Sequence, residues 1–273
     1  MEAPRSILLQ IDNTARTVQR IWLACQLAEA FSADVTAQPC MLPGMTRFPA
    51  TWEGASAAAE FMLAYDKECL DRAHVTFLRE CTGSSRLHWS DPLPEGPHGF
   101  AARGLYADLM LLGQRDSSDP AAGELPPDFL SDVLVRSGRP ALILPFTGQF
   151  DPLGGKVLIA WKETREAARA VTAALPWLRQ ASHVHVACWG TGSANALALL
   201  ESQLSSHGIR IVPHAGGPEP EDVGNVLLSM AADVDADLLV MGGYGHSRAR
   251  EWVMGGATRT VLQTMTLPVL MSH

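Results

Sequence analysis

Short apolar runs alternate with longer segments of helical periodicity along this chain, and the alternation runs through twice. Residues 6–11 (SILLQI) carry the branched and aliphatic side chains of a buried strand, and 33–38 and 86–89 are weaker strand candidates. Residues 107–113 (ADLMLLG) and 140–145 (PALILP) are strands of the same kind as the first. Between them, 15–31 places Val18, Ile21, Trp22, Cys25, Leu27 and Ala28 at helical spacing, 55–81 is helical again, and 100–106 ends a short helix. Asp12, Asn13 and Thr14 follow the first strand and suit a helix cap. The Pro-, Gly- and Thr-broken stretch 39–54 reads as a loop, and 90–99 as a turn region.

After FTGQFDPLGG (146–155), a linker by composition, the pattern restarts. Strands are expected at 156–161, 183–189, 209–213, 237–242 and 267–271, with helices at 164–180, 194–207 and 219–234 and a further helical segment after Thr258. The halves match piece by piece. Ala107-Asp108-Leu109 recurs as Ala236-Asp237-Leu238, an offset of 237 − 108 = 129, and Pro140 recurs as Pro268, an offset of 268 − 140 = 128. Strands alternating with helices require right-handed crossovers and a mostly parallel sheet covered on both faces. The expected fold is therefore α/β, with two tandem doubly wound, five-stranded domains at 1–146 and 154–273. Ligands in such folds bind beyond the carboxyl ends of the strands, where the strand order reverses.

Composition narrows the function. At 273 residues, with 47% hydrophobic and 18% charged positions, the chain has ample core for globular domains. A formal net charge of −8 without a basic stripe argues against nucleic acid as a partner. No run approaches the length of a membrane span, and the N-terminus has no leader-like apolar core, so a cytoplasmic protein is expected. Five cysteines without a CxxC pair fit reduced, buried thiols.

The richest chemistry lies in DLLVMGGYGHSRAREWVMGGAT (237–258). A buried strand ends at Gly242-Gly243, passes Gly245, and reaches Gly255-Gly256 before Thr258 and a helix. Glycines there let backbone amides approach a ligand, and a helix N-terminus beside them favours an anion. Gly242, Gly245 and Gly255 satisfy a spacing of glycine, two residues, glycine, nine residues, glycine. On that spacing, and on the flanks ADLLVMG and TRTVLQTMTLPVLM, the second half resembles the universal stress protein family, and the whole chain looks like a tandem member. The resemblance implies an adenine nucleotide, ATP with Mg among the candidates, held between the first strand, the second strand and the glycine loop. Carried over by motif, Ala160, Trp161 and Lys162 would flank the nucleotide and Val186 would contact its base. Gly242, Gly245, Gly255, Gly256, Ala257 and Thr258 would receive ribose and phosphates, with Met241 also part of the nucleotide site.

Two positions depart from the family pattern. Lys162 stands where an Asp is usual, and lysine has no acceptor for a ribose hydroxyl. Gly256 stands where a Ser or Thr hydroxyl is usual. In the first half Asp12 keeps the acid, but Asp116, Asp119 and Glu124 follow its fourth strand in place of glycines and would repel phosphate. That half is expected to keep the scaffold without the site.

The resemblance implies a stress-response or signalling module that binds nucleotide with little turnover; a nucleotide-free scaffold and a slow ATPase are the alternatives. It also implies pairing of the last strands, 140–145 with 267–271, and a homodimer. Other constellations are weaker. Ser247 in GHSRA has only Glu251, four residues on, and the terminal His273 as downstream acid and histidine, and reads better as a cap or phosphate contact than as a nucleophile. His183 and His185 share a strand face and could bind a metal with His207 or His214, but no third ligand lies at a fixed local spacing, and hydrogen-bonded histidines are the better reading. Met45, Phe48 and Trp52 make the 41–54 loop apolar enough for a lid, an interface or plain packing.

Overall fold

The computed structural model describes residues 3–47, 55–148, 150, 153–244 and 256–273. Pro4–Ser137 form one compact unit and Gly138–His273 (with Ala3) the other. Mixed α/β structure with a mostly parallel sheet is present in each.

The Pro4–Ser137 unit contains β1 (Ser6–Ile11), α1 (Thr17–Phe31), β2 (Asp34–Pro39), the short α2 (Gly44–Arg47), α3 (Ala55–Glu80), β3 (Leu87–Trp89), α4 (Phe100–Gly104), β4 (Leu109–Gly113) and α5 (Phe129–Ser137). Its strands lie in the order β3-β2-β1-β4, all parallel, with Ile7 opposite Val35 on one side and Leu109 on the other. Helices on both faces bury β4 entirely and all of β1 but its first residue, which is why both read as unbroken apolar runs.

The Gly138–His273 unit contains β5 (Ala141–Leu144), β6 (Lys156–Ala160), α6 (Arg165–Leu178), β7 (His183–Cys188), α7 (Ser193–Ser205), β8 (Val212–Ala215), α8 (Val223–Asp233), β9 (Leu238–Gly242), α9 (Gly256–Thr264) and β10 (Val269–Ser272). The order is β5-β10-β9-β6-β7-β8. Every neighbour is parallel except β5, which runs antiparallel to β10 with Ile143 opposite Val269 and Ala141 opposite Met271. The pairing expected between 140–145 and 267–271 is thus present, and strand β5, read from the repeat as the end of the first half, packs within this unit. The order reverses between β6 and β9, the switch point of a doubly wound sheet.

The repeated Asp explains part of the sequence symmetry. Asp108 accepts hydrogen bonds from the backbone N–H of Arg5 and Ser6 at 2.9 and 3.0 Å. Asp237 accepts from Gly154, Gly155 and Lys156 at 2.6, 2.9 and 3.1 Å. Each acid therefore ties the start of the neighbouring strand, β1 or β6, to the start of its own. The burial of Asp237 pushes its carboxyl above the usual range, and the three amides partly offset that rise.

Several expectations need adjustment: the strand expected at 209–213 runs Val212–Ala215, and the short α2 (Gly44–Arg47) lies within the stretch read as a loop at 39–54. Helix α8 starts at Val223, not 219, because Asp222 caps it by accepting from Asn225 N–H at 3.2 Å, and Pro218 and Pro220 suit an extended approach better than a helix interior. Helix α5 was not legible in the acidic stretch after β4. It is amphipathic through Phe129, Val133 and Leu134, all buried, but too short to stand out by period.

Candidate functional site

A cleft of about 520 Å³ opens at the carboxyl ends of β6 and β9. It is lined by Ala160, Trp161 and Lys162 from the β6 exit, Met241 and Gly242 from β9, and Gly256, Ala257 and Thr258 from the start of α9. The motif residues far apart in sequence are therefore brought to one wall. Three helices begin here: α6 behind its cap Thr164, α8 behind Asp222, and α9 at Gly256. Each directs the positive end of its dipole to the same region, which favours an anionic group, although Thr164 and Asp222 already take one first-turn amide each, those of Ala167 and Asn225.

Lys162 is not a free cation. Its ammonium lies 3.0 and 3.2 Å from the two carboxylate oxygens of Glu219, a residue of the loop before α8 that also lines the cleft. Sequence reading missed Glu219 by placing it inside a helix; the capping Asp222 and the neighbouring prolines were the available signal. Glu166, at the start of α6, is buried and receives Arg165 Nε at 2.6 Å. Burial alone would raise its carboxyl, but hydrogen bonds from Arg165, Thr164 and its own amide hold it below the usual range.

The glycines divide by role. A Cβ on Gly242 would stand 2.6 Å from Ala167 N and 2.9 Å from the Glu166 carbonyl carbon, so this glycine lets β9 press against the first turn of α6. Beyond β9, Tyr244 takes a left-handed φ of 57° and its N–H donates to Thr258 Oγ1 at 3.4 Å, fastening the strand exit to α9. Trp161 lines the cleft with an indole N–H that is buried and has no acceptor among the described residues. Val186 lies fully buried in the middle of β7, opposite Ile159 and Pro213, and is not among the lining residues. Gly245, Gly255, Ser247, Phe48 and Trp52 lie outside the described residues.

The corresponding corner of the Pro4–Ser137 unit is filled by its own acids. Three successive backbone N–H groups after β1 donate to carboxylates: Asn13 to Glu124 at 3.3 Å, Thr14 to Asp12 at 2.9 Å, and Ala15 to Asp119 at 3.0 Å. Asp12 is also ion-paired with buried Arg20 at 2.6 Å and accepts from Thr17. Burial would push the Asp12 carboxyl up, but the Arg20 charge and the hydroxyls of Thr14 and Thr17 hold it below its ordinary value. Glu124 is buried and also accepts from Asn13 Nδ2. An amide cluster that would suit an anion is thus satisfied internally.

His185 Nδ1 and His214 Nε2 lie 2.9 Å apart, and His183 stacks on His185 with ring centroids 6.2 Å apart. No group of three or more His, Cys, Asp or Glu suited to a metal occurs among the described residues. All five cysteines are free. No helix among the described residues is long and apolar enough to cross a membrane.

Residues 218–273 match the model of the universal stress protein family. The structure superposes on a universal stress protein from Archaeoglobus fulgidus DSM 4304 with a TM-score of 0.73 at 14% identity, over 98% of this chain and 96% of that one. A functionally unknown protein from Pseudomonas aeruginosa PAO1 matches with a TM-score of 0.56 at 19% identity, over 98% of this chain and 92% of that one. No curated protein matches the chain in sequence. The resemblance to the universal stress protein family is thereby shown, in sequence over 218–273 and in fold over nearly the full length. The architecture is the Rossmann-like α/β fold of that family at tandem size.

Proposed function

We propose that this chain is a tandem universal stress protein whose Gly138–His273 unit binds an adenine nucleotide and acts as a stress-response or signalling module with little turnover. The observation that carries the proposal is the cleft itself: three helix N-termini and the motif residues of β6, β9 and α9 converge on one volume of about 520 Å³. Low turnover is consistent with the state of its acids. Of the four acids that line the cleft among the described residues, Glu166 is held by Arg165, Asp222 by Asn225 and Glu219, in part, by Lys162; Glu221 is the fourth. The self-satisfied amides after β1 support assigning the nucleotide to the second unit alone. ATP is among the candidate ligands, and Mg²⁺ would then accompany it, ligated by phosphate oxygens and water. A cytoplasmic setting and pairing of chains into a homodimer belong to the same proposal.

The test is calorimetric titration of purified, nucleotide-stripped protein with ATP, ADP and AMP. Micromolar binding at about one site per chain is expected. No heat and no thermal shift with any of the three would overturn the reading and leave a scaffold that works through protein contacts.

A further inference from the structure

Resting on the nucleotide reading above, the geometry points to Glu219 as the residue that recognises the sugar, through hydrogen bonds to a vicinal diol. The β6 exit carries a lysine, which donates hydrogen bonds and accepts none, so it cannot read a hydroxyl donor. The fold remedies this from another element. Glu219, fifty-seven residues along the chain, brings its carboxylate to within 3.0 Å of Lys162 Nζ at the cleft wall.

A carboxylate offers about four lone-pair positions on two oxygens, and the ammonium group occupies only some of them. The remainder can accept two adjacent hydroxyls at once, the same task that an acid performs toward ribose in other doubly wound folds. Lys162 has a positioning role: its contact with both carboxylate oxygens orients the Glu219 side chain. The pair is not explained by folding, because both side chains are about half exposed (59% and 51%) and such ion pairs contribute little to stability. The arrangement therefore selects a ribonucleotide over a deoxyribonucleotide.

The experiment uses the full chain and compares AMP with 2′-deoxy-AMP by calorimetry, in the wild type, Glu219→Ala and Glu219→Asp. The wild type is expected to bind AMP at least about tenfold more tightly than 2′-deoxy-AMP, the loss of one charge-assisted hydrogen bond. Glu219→Ala should close the gap by weakening AMP more than 2′-deoxy-AMP, which keeps its 3′-hydroxyl and so loses one contact where AMP loses two, and Glu219→Asp should recover part of the gap. Equal affinities in the wild type would overturn the inference without touching the nucleotide reading, and so would a tenfold gap that survives Glu219→Ala. Where AMP does not bind, the same comparison is made between ATP and 2′-deoxy-ATP; absence of binding by ATP, ADP and AMP alike would overturn the nucleotide reading, and this inference with it. Because the wild-type comparison needs no variant, the outcome does not depend on how well a variant folds.

Discussion

Gly242 and Gly256 both belong to the glycine motif, yet their surroundings give them different tasks. A methyl group at 242 would meet the backbone of Glu166 and Ala167, which cannot swing aside like a side-chain tip, so Gly242→Ala is expected to cost about 1–3 kcal/mol by overpacking. Urea denaturation would register it as a lower midpoint at unchanged slope. A Cβ at 256 meets nothing within 4 Å among the described residues. Gly256→Ser should therefore leave stability unchanged or slightly raised, and should tighten phosphate binding by adding a hydroxyl at the start of α9, read out in the same calorimetric titration. In the other unit the Asp12–Arg20 pair is buried on both sides, with side chains 1% and 2% exposed. Asp12→Asn would leave a buried guanidinium without its counter-charge, a loss of about 3–5 kcal/mol. The folded-state carboxyl of Asp12 is depressed, so its contribution is complete above the ordinary carboxylate range near pH 4 and is lost as pH falls through the lower folded value. The acid limb of the wild-type stability curve should be steeper than that of the variant.

Elements here are joined by a few polar ties laid over apolar runs. Strands β7 and β8 carry such a tie in the contact of His185 with His214, and β8 is the edge of its sheet, with three of its four residues exposed. Burial, with the neighbouring charges of His214, His183 and Lys156, holds His185 below the ordinary histidine value. A depressed histidine contributes stability that is complete above about pH 6.5 and is lost as pH falls. Urea midpoints should therefore drop between pH 7.5 and 5.5 in the wild type, and drop less in His185→Gln. An equal fall in both would place the pH dependence elsewhere.

At the scale of the whole molecule, the antiparallel contact of β5 with β10 matters most. Val269, Leu270 and Met271 are completely buried, and β5 covers the edge that β10 would otherwise expose. A fragment of residues 138–273 keeps that cover over β10 and is expected to retain nucleotide binding. A fragment of 154–273 leaves an apolar edge strand with unpaired backbone groups and should self-associate. Light scattering on the two fragments separates the cases: a monomeric 154–273 would mean that β5 is dispensable as an edge cover.

Much of this was legible in the residues, because burial on both faces forces continuous apolar strands and amphipathic helices that alternate visibly. The repeat of Asp108 and Asp237, the strands β1, β4, β6 and β9, and the glycine motif follow from local rules of that kind. Of the motif glycines, Gly242 lines the cleft, where a doubly wound sheet reverses its order. Sequence alone could not pair Lys162 with Glu219, because the contact spans separate elements and depends on where α8 is capped. Nor could it show that Gly242 serves the packing of β9 on α6, or that Val186 is sealed inside β7. The carboxylates of Asp12, Asp119 and Glu124 take the amides after β1 for the same kind of reason. Periodicity and turn chemistry are properties of neighbouring residues, whereas the charge partners and close approaches that decide this cleft are set by which elements the completed sheet brings together.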